Sequence, residues 1–252
     1  MQTATVTIRQ IDNVAEMRAA EHLQKEVWGI PDLDVVPLTQ LVAAKEAGGT
    51  LIGAFDDEVL VGFVYGFPSF EFGKHAHHSH MLAVKPEYRN HDLGRRLKLA
   101  QREQVIAQGI DLITWTFDPL QSLNAHFNFN KLGVVADRYL PDFYGDEAAS
   151  FLHQTGTDRL WVSWLIGTER VKKIIARGEQ PQVERINDSI SIEIPGDINS
   201  LEQQVARQWR KETRVAFMEA IKAGYVVAGF TRDNNVGRYI LYPQITQITQ
   251  IS

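Results

Sequence analysis

One stretch of the chain gathers the residue types that chemistry asks for. Residues 80–97 read His-Met-Leu-Ala-Val-Lys-Pro-Glu-Tyr-Arg-Asn-His-Asp-Leu-Gly-Arg-Arg-Leu, a β-prone run, a proline stop, a short polar loop and the opening of a long helix. The first amides of a helix lack partners within it, and its dipole adds partial positive charge there. Arg89, Arg95 and Arg96 surround that turn, which suits it to a pyrophosphate. A merely solvated, arginine-rich helix start would read the same way. Upstream, His75, His77, His78 and His80 form a second cluster. Imidazoles suit zinc, nickel or copper. On an extended chain, however, His78 and His80 share a face that His77 does not, and no carboxylate pattern accompanies them, so no metal is expected. A polar loop with loosely packed histidines remains, as does His80 acting as a general base, with Glu71 a weaker competitor. Arg210 and Arg214 lie one turn apart behind Trp209. They could hold a carboxylate or make ordinary surface or interdomain contacts.

Such groups need a scaffold, and 252 residues allow one large domain or two small ones. The 26 basic and 31 acidic residues give a net charge of -5, which argues against a general nucleic-acid binder. The chain has no cysteine, so disulfides, thiolate catalysis and cysteine-bound metals are excluded together. Residues 1–12 hold no signal-like apolar run, and no window reaches 18 apolar residues, so a cytoplasmic protein that does not span a membrane is expected.

The spacing predicts a strand at 6–11, then a helix capped by Asp12 or Asn13 with Val14, Met17, Leu23 and Val27 at helical intervals. A loop at 30–37 leads to a second helix ending at Gly48-Gly49. A hairpin of strands 51–55 and 59–67, a histidine-rich loop and a strand at 80–84 follow. Next come a helix at 93–108, a strand at 112–117, a helix at 122–131 and strands at 134–139 and 160–166. Strand, helix and strand in that order make a parallel pair. The fold class expected is α/β (α+β) with a mixed sheet. Residues 1–168 would form the main domain, 169–188 a linker, 189–245 a smaller βαββ unit packed on it, and 246–252 a tail.

The order of elements and the residues of 80–97 together resemble motif A of the GNAT superfamily of N-acyltransferases. That motif reads Arg/Gln-x-x-Gly-x-Gly/Ala after a strand ending in Val-x-Pro-x-Tyr-Arg. Val84, Pro86, Tyr88, Arg89, Leu93 and Gly94 match it. Residues 124–133, ending Asn-Lys-Leu-Gly, are similar to the helix that follows in the family, and the hairpin carrying Gly62 fits as well. The resemblance covers roughly residues 5–166. It is more specific to a predicted acetyltransferase subgroup with an additional carboxy-terminal region.

The resemblance implies acetyl-CoA or another acyl-CoA as co-substrate. Strands 80–84 and 112–117 would splay apart, and the backbone of Leu82, Ala83 and Val84 would pair with the pantetheine arm. Pyrophosphate would rest on the turn running through Arg89, Asn90, Asp92, Leu93, Gly94 and Arg95, and Asn124 would offer its amide to the pantetheine. Asn90 and Asp92 replace two customary glycines, and both types tolerate positive φ. His80 would be the base. The tyrosine that often protonates the leaving thiolate is Phe129 here, which leaves Tyr144, Tyr139, a water or no acid at all. Without cysteine, direct attack in a ternary complex is expected rather than an acyl-enzyme. The implied reaction moves an acyl group, acetyl by expectation, to a primary amine of a small molecule, plausibly an amino acid whose carboxylate meets Arg210 or Arg214. The carboxy-terminal unit also leaves a homodimer open. Two other readings stand beside this one. One is a degenerate GNAT-fold module for CoA binding or assembly, suggested by Asp92 and Phe129; the other is an unrelated α/β fold.

Overall fold

The computed structural model describes residues 6–89, 91–145, 155–178, 188–233 and 235–244. They fall into two compact units, 1–114 and 115–252.

The first unit opens with β1 (Thr7–Gln10) and α1 (Val14–Trp28). Asn13 caps α1 by accepting from the Glu16 amide at 2.9 Å, and Gly29 ends it in the left-handed region at φ 62°. The loop to α2 (Leu38–Glu46) is pinned by the buried Gln24, which donates to Val36 O and accepts from Val36 N. Strands β2 (Thr50–Asp56), β3 (Val59–Glu71) and β4 (Lys74–Val84) form an antiparallel meander, with β1 paired to β2. Period-2 alternation divides their side chains. Leu51, Phe55, Phe63 and Tyr65 join Met17, Leu23 and Leu41 beneath α1 and α2. Ile52, Ala54 and Val64 join Leu93 and Leu97 of α3 (Leu93–Ala107) on the other face. The chain then returns along β5 (Leu112–Phe117), parallel to β4 through the pairs His77↔Ile113 and His78↔Thr114.

The expected histidine-rich loop is strand. β3 runs past the end of β2 to Glu71, and β4 pairs with that extension from Lys74 onward. Pro68, which reads as a strand stop, sits beyond Gly66, the last β3 residue bonded to β2, where its missing N–H breaks no β2 ladder bond.

The second unit carries α4 (Ser122–His126), which widens into a π-turn at Phe127–Leu132 and stops at Gly133 with φ 77°. It continues with β6 (Val135–Leu140), β7 (Arg159–Leu165), α5 (Glu169–Arg177), β8 (Ile190–Pro195), α6 (Gln203–Lys222), β9 (Tyr225–Arg232) and β10 (Val236–Pro243). The antiparallel order is β7-β6-β9-β10-β8. Its core is aromatic: Tyr139 stacks on Phe217 at 5.3 Å, and Tyr239 meets both Phe217 and Phe129 edge-on. The βαββ order expected for the carboxy-terminal region is present. Yet Ala136 of β6 pairs with Val227 of β9, so these strands share one compact unit with β6 and β7. The division between units falls within β5, not in the 169–188 stretch that polarity alone suggests.

Candidate active site

The β3–β4 ladder shifts register at one place. Tyr65 faces Met81 and Gly66 faces Ser79, which leaves His80 as an extra residue in a β-bulge. The His80 ring lies 6.0 Å from that of Tyr65, 5.7 Å from Phe67 and 6.3 Å from His78. It is exposed on one side, yet its aromatic neighbours desolvate its charged form enough to hold its pKa below that of an ordinary histidine. At neutral pH it is therefore a free base. His78 shares this face and bonds Thr114 Oγ1 at 3.1 Å, while His77 lies on the other and is fully buried.

Beyond His78, residues 79–84 of β4 have no parallel partner among the described residues. Leu82 and Val84 are half-buried and Ala83 is buried, all three with their backbone in the β3 ladder on one side only. Pro86–Tyr88 then turns the chain, held by the Tyr88 hydroxyl donating to Asp56. Asp92 precedes α3 in the left-handed conformation, φ 56°, and its carboxylate accepts from Arg95 rather than from the helix amides. The first turn of α3, with Leu93, Gly94 and Arg95, thus carries no side-chain cap. Arg89 donates to Val84 O, and Arg96 turns away to Val6 O. Asn90 lies outside the described residues.

Behind the bulge is a group of polar side chains that motif reasoning passes over. Lys98 Nζ donates to Ser79 Oγ at 2.8 Å and to Gln101 Oε1 at 3.3 Å. Gln101 Nε2 reaches Thr50 Oγ1 at 2.8 Å, and Thr50 Oγ1 meets His77 Nε2 at 3.0 Å. The signal was available: helical spacing puts Lys98 and Gln101 on the same inner stripe as Leu97 and Val105.

The remaining expected residues lie in the second unit. Asn124 is exposed on α4. Tyr144 is 46% exposed, packs against Phe143 and lies under the Arg159 guanidinium. Phe129 is fully buried against Tyr239, and its side chain is a core element. The idea that Arg210 or Arg214 awaits an acceptor carboxylate is corrected here. Arg210 already grips Asp118 with bonds of 2.8 and 2.7 Å, and Arg214 bonds both Asp158 and Asp142. Each fork is filled by the protein's own carboxylates. Among the described residues no group of three potential ligands gathers as a metal site, and no helix is long and apolar enough to cross a membrane.

Comparison with known proteins agrees with this fold. Residues 11–134 match the model of the acetyltransferase (GNAT) family. Among solved structures, an acetyltransferase assigned to the GNAT family from Desulfovibrio desulfuricans is 16% identical, with a TM-score of 0.53, over 65% of this chain and 100% of that one. The ribosomal-protein-S18-alanine N-acetyltransferase of Escherichia coli is 13% identical, with a TM-score of 0.51, over 64% and 94%. A Salmonella typhimurium protein described as an acetyltransferase, solved with acetyl-CoA, is 16% identical at the same TM-score, again over 64% and 94%. No curated protein matches the chain.

Proposed function

We propose that this chain, whose residues 11–134 place it in the GNAT acetyltransferase family, transfers an acyl group from CoA to a primary amine of a small molecule by direct attack in a ternary complex. The observation that carries the reading is a single continuous stretch. The edge of β4 at 79–84, which has no parallel partner among the described residues, leads into the first turn of α3, which has no side-chain cap. An extended amide-bearing arm can add to the strand edge, and the diphosphate at its end can meet the first-turn amides of α3 at Leu93 and Gly94, which no capping side chain occupies. Acyl-CoA has that shape and charge. The thioester carbonyl would meet the amides of the bulge, which would stabilise the developing oxyanion.

The amine arrives as an ammonium. His80, a free base at neutral pH, takes its proton directly or through a water. The amine nitrogen then bonds the carbonyl carbon, the C–S bond breaks and the thiolate leaves. Asp92 gives little support to a degenerate module. It adopts the left-handed turn otherwise given to glycine and points its carboxylate at Arg95.

The test is calorimetric titration with acetyl-CoA and succinyl-CoA, followed by an amine panel with the tighter binder. Wild-type protein should bind, and Gly94→Val should weaken binding at least about tenfold, near 1.4 kcal/mol. Absence of acyl-CoA binding, or indifference to Gly94→Val, overturns the reading.

A further inference from the structure

The polar side chains behind the bulge are arranged around it. Thr50, Gly66 and Ser79 form one row across β2, β3 and β4, and the register shift begins at Gly66. Gly66 leaves the space the others fill: a Cβ there would lie 2.4 Å from His77 Nε2 and 2.9 Å from Gln101 Nε2. Lys98 is 3% exposed, and Gln101 and His77 are fully buried. Lys98, Gln101, Thr50 and His77 run as a hydrogen-bonded chain from α3 across the sheet, and Lys98 also holds Ser79, the residue next to the bulged His80.

A lysine is a costly way to fill a core position, because the ammonium loses its water there. Its bonds to Ser79 and Gln101 are to neutral groups, and burial pushes its pKa well below that of an ordinary lysine. A methionine stem of similar length would pack with less cost. What an apolar side chain lacks is a directional bond to Ser79. Direction matters here because a bulge is the weakest point of a register. A slip of one residue would turn His80 from the Phe67 face to the opposite one and re-aim the backbone amides beside it.

We propose that Lys98 is a positioning residue for acyl transfer: by holding Ser79 it locks the bulge, and so fixes the aim of the His80 imidazole and of the adjacent amides at the thioester carbonyl. This rests on the acyl-CoA reading above. It adds that the α3 turn and the carbonyl-binding bulge are joined by one buried connection, so that a residue touching neither acyl-CoA nor amine governs the rate.

The experiment uses the full chain, Lys98→Met and Ser79→Ala, with [1-13C]acetyl-CoA followed by isotope-edited infrared spectroscopy and steady-state rates. Bound to wild type, the labelled carbonyl band should move to lower wavenumber than in free acetyl-CoA. In Lys98→Met most of that displacement should vanish while the dissociation constant stays within about twofold. With an accepted amine, kcat should fall about 10–100-fold and KM for acetyl-CoA should hardly change. Thermal stability of Lys98→Met should be equal or higher. Ser79→Ala should reproduce the carbonyl and kcat effects, and the double variant should be no worse than Lys98→Met alone. Wild-type carbonyl displacement in both variants, a loss that lies in KM, or additive losses would each overturn the inference. If Lys98→Met does not fold, Ser79→Ala decides by the same band. Failure of wild type to bind acetyl-CoA removes the functional reading and this inference with it, whereas normal wild-type behaviour with unaffected variants removes this inference alone.

Discussion

His80 and His77 lie within one strand, and desolvation lowers the pKa of both to different extents. His80 is crowded by Tyr65 and Phe67, and the resulting desolvation lowers its pKa beneath the ordinary 6.5. The acid limb of kcat/KM should therefore lie below 6.5, since a depressed pKa keeps the base unprotonated further into acid. His80→Gln should cost about a hundredfold and abolish the limb, and an unchanged profile would assign the base elsewhere. His77 is buried outright, with its pKa lowered from 6.5 to about 4 by burial and then by Lys98. Between those values the unfolded chain holds the proton that the folded chain refuses. Stability should thus fall as pH drops from 6.5 to about 4, by on the order of 3 kcal/mol in all. Denaturant unfolding of His77→Gln should show a shallower loss over that window, and parallel slopes would exclude His77 as the cause. Much at this scale was legible: the shared face of His78 and His80, and the fitness of Asp92 for positive φ. The burial of Lys98 showed only in its helical spacing with Leu97 and Val105, which motif reading passes over by taking a lysine in an arginine-rich helix for a solvated residue.

Among the elements, β4 decides the most. Its edge is useful because β3 holds it from behind, and Gly62 lets β3 approach residues 83–84 closely. A Cβ at Gly62 would lie 2.9 Å from the Ala83 carbonyl oxygen and 3.2 Å from Val84 Cγ2. Gly62→Ala should push residues 83–84 outward and weaken acyl-CoA binding about tenfold, some 1.4 kcal/mol. Calorimetry that finds wild-type affinity would show that the edge tolerates the shift. Helix ends were legible where a cap or glycine marks them, as at Asn13, Gly29 and Gly133. Strand extent was not. Histidines alternating with small residues look like a loop until the partner strand is known, and the bulge exists only as a relation between two strands. The π-turn at Phe127–Leu132 left no trace either, since its residues read as ordinary helix.

For the molecule as a whole, the carboxy-terminal residues are structural partners within the second unit. Arg210 and Asp118 are 4% and 14% exposed at their side chains and joined at 2.7 Å. Arg210→Ala strands a buried carboxylate and should destabilise by about 3–5 kcal/mol, whereas Arg210→Met with Asp118→Leu should recover most of it. A single variant with wild-type melting would show that Asp118 finds solvent. The order of elements was legible along almost the whole chain. The division into units was not, because polarity marks where the chain is wet, while compactness follows the β6–β9 pairing of residues nearly a hundred positions apart. The same pairing logic has a consequence between molecules. Among the described residues, 79–84 leave one row of backbone donors and acceptors without a parallel strand, and a strand from another molecule could pair with such a row as a ligand does. If such pairing occurs, concentrated ligand-free protein should associate in light scattering, and bound acyl-CoA, acting as a guard strand, should suppress that association.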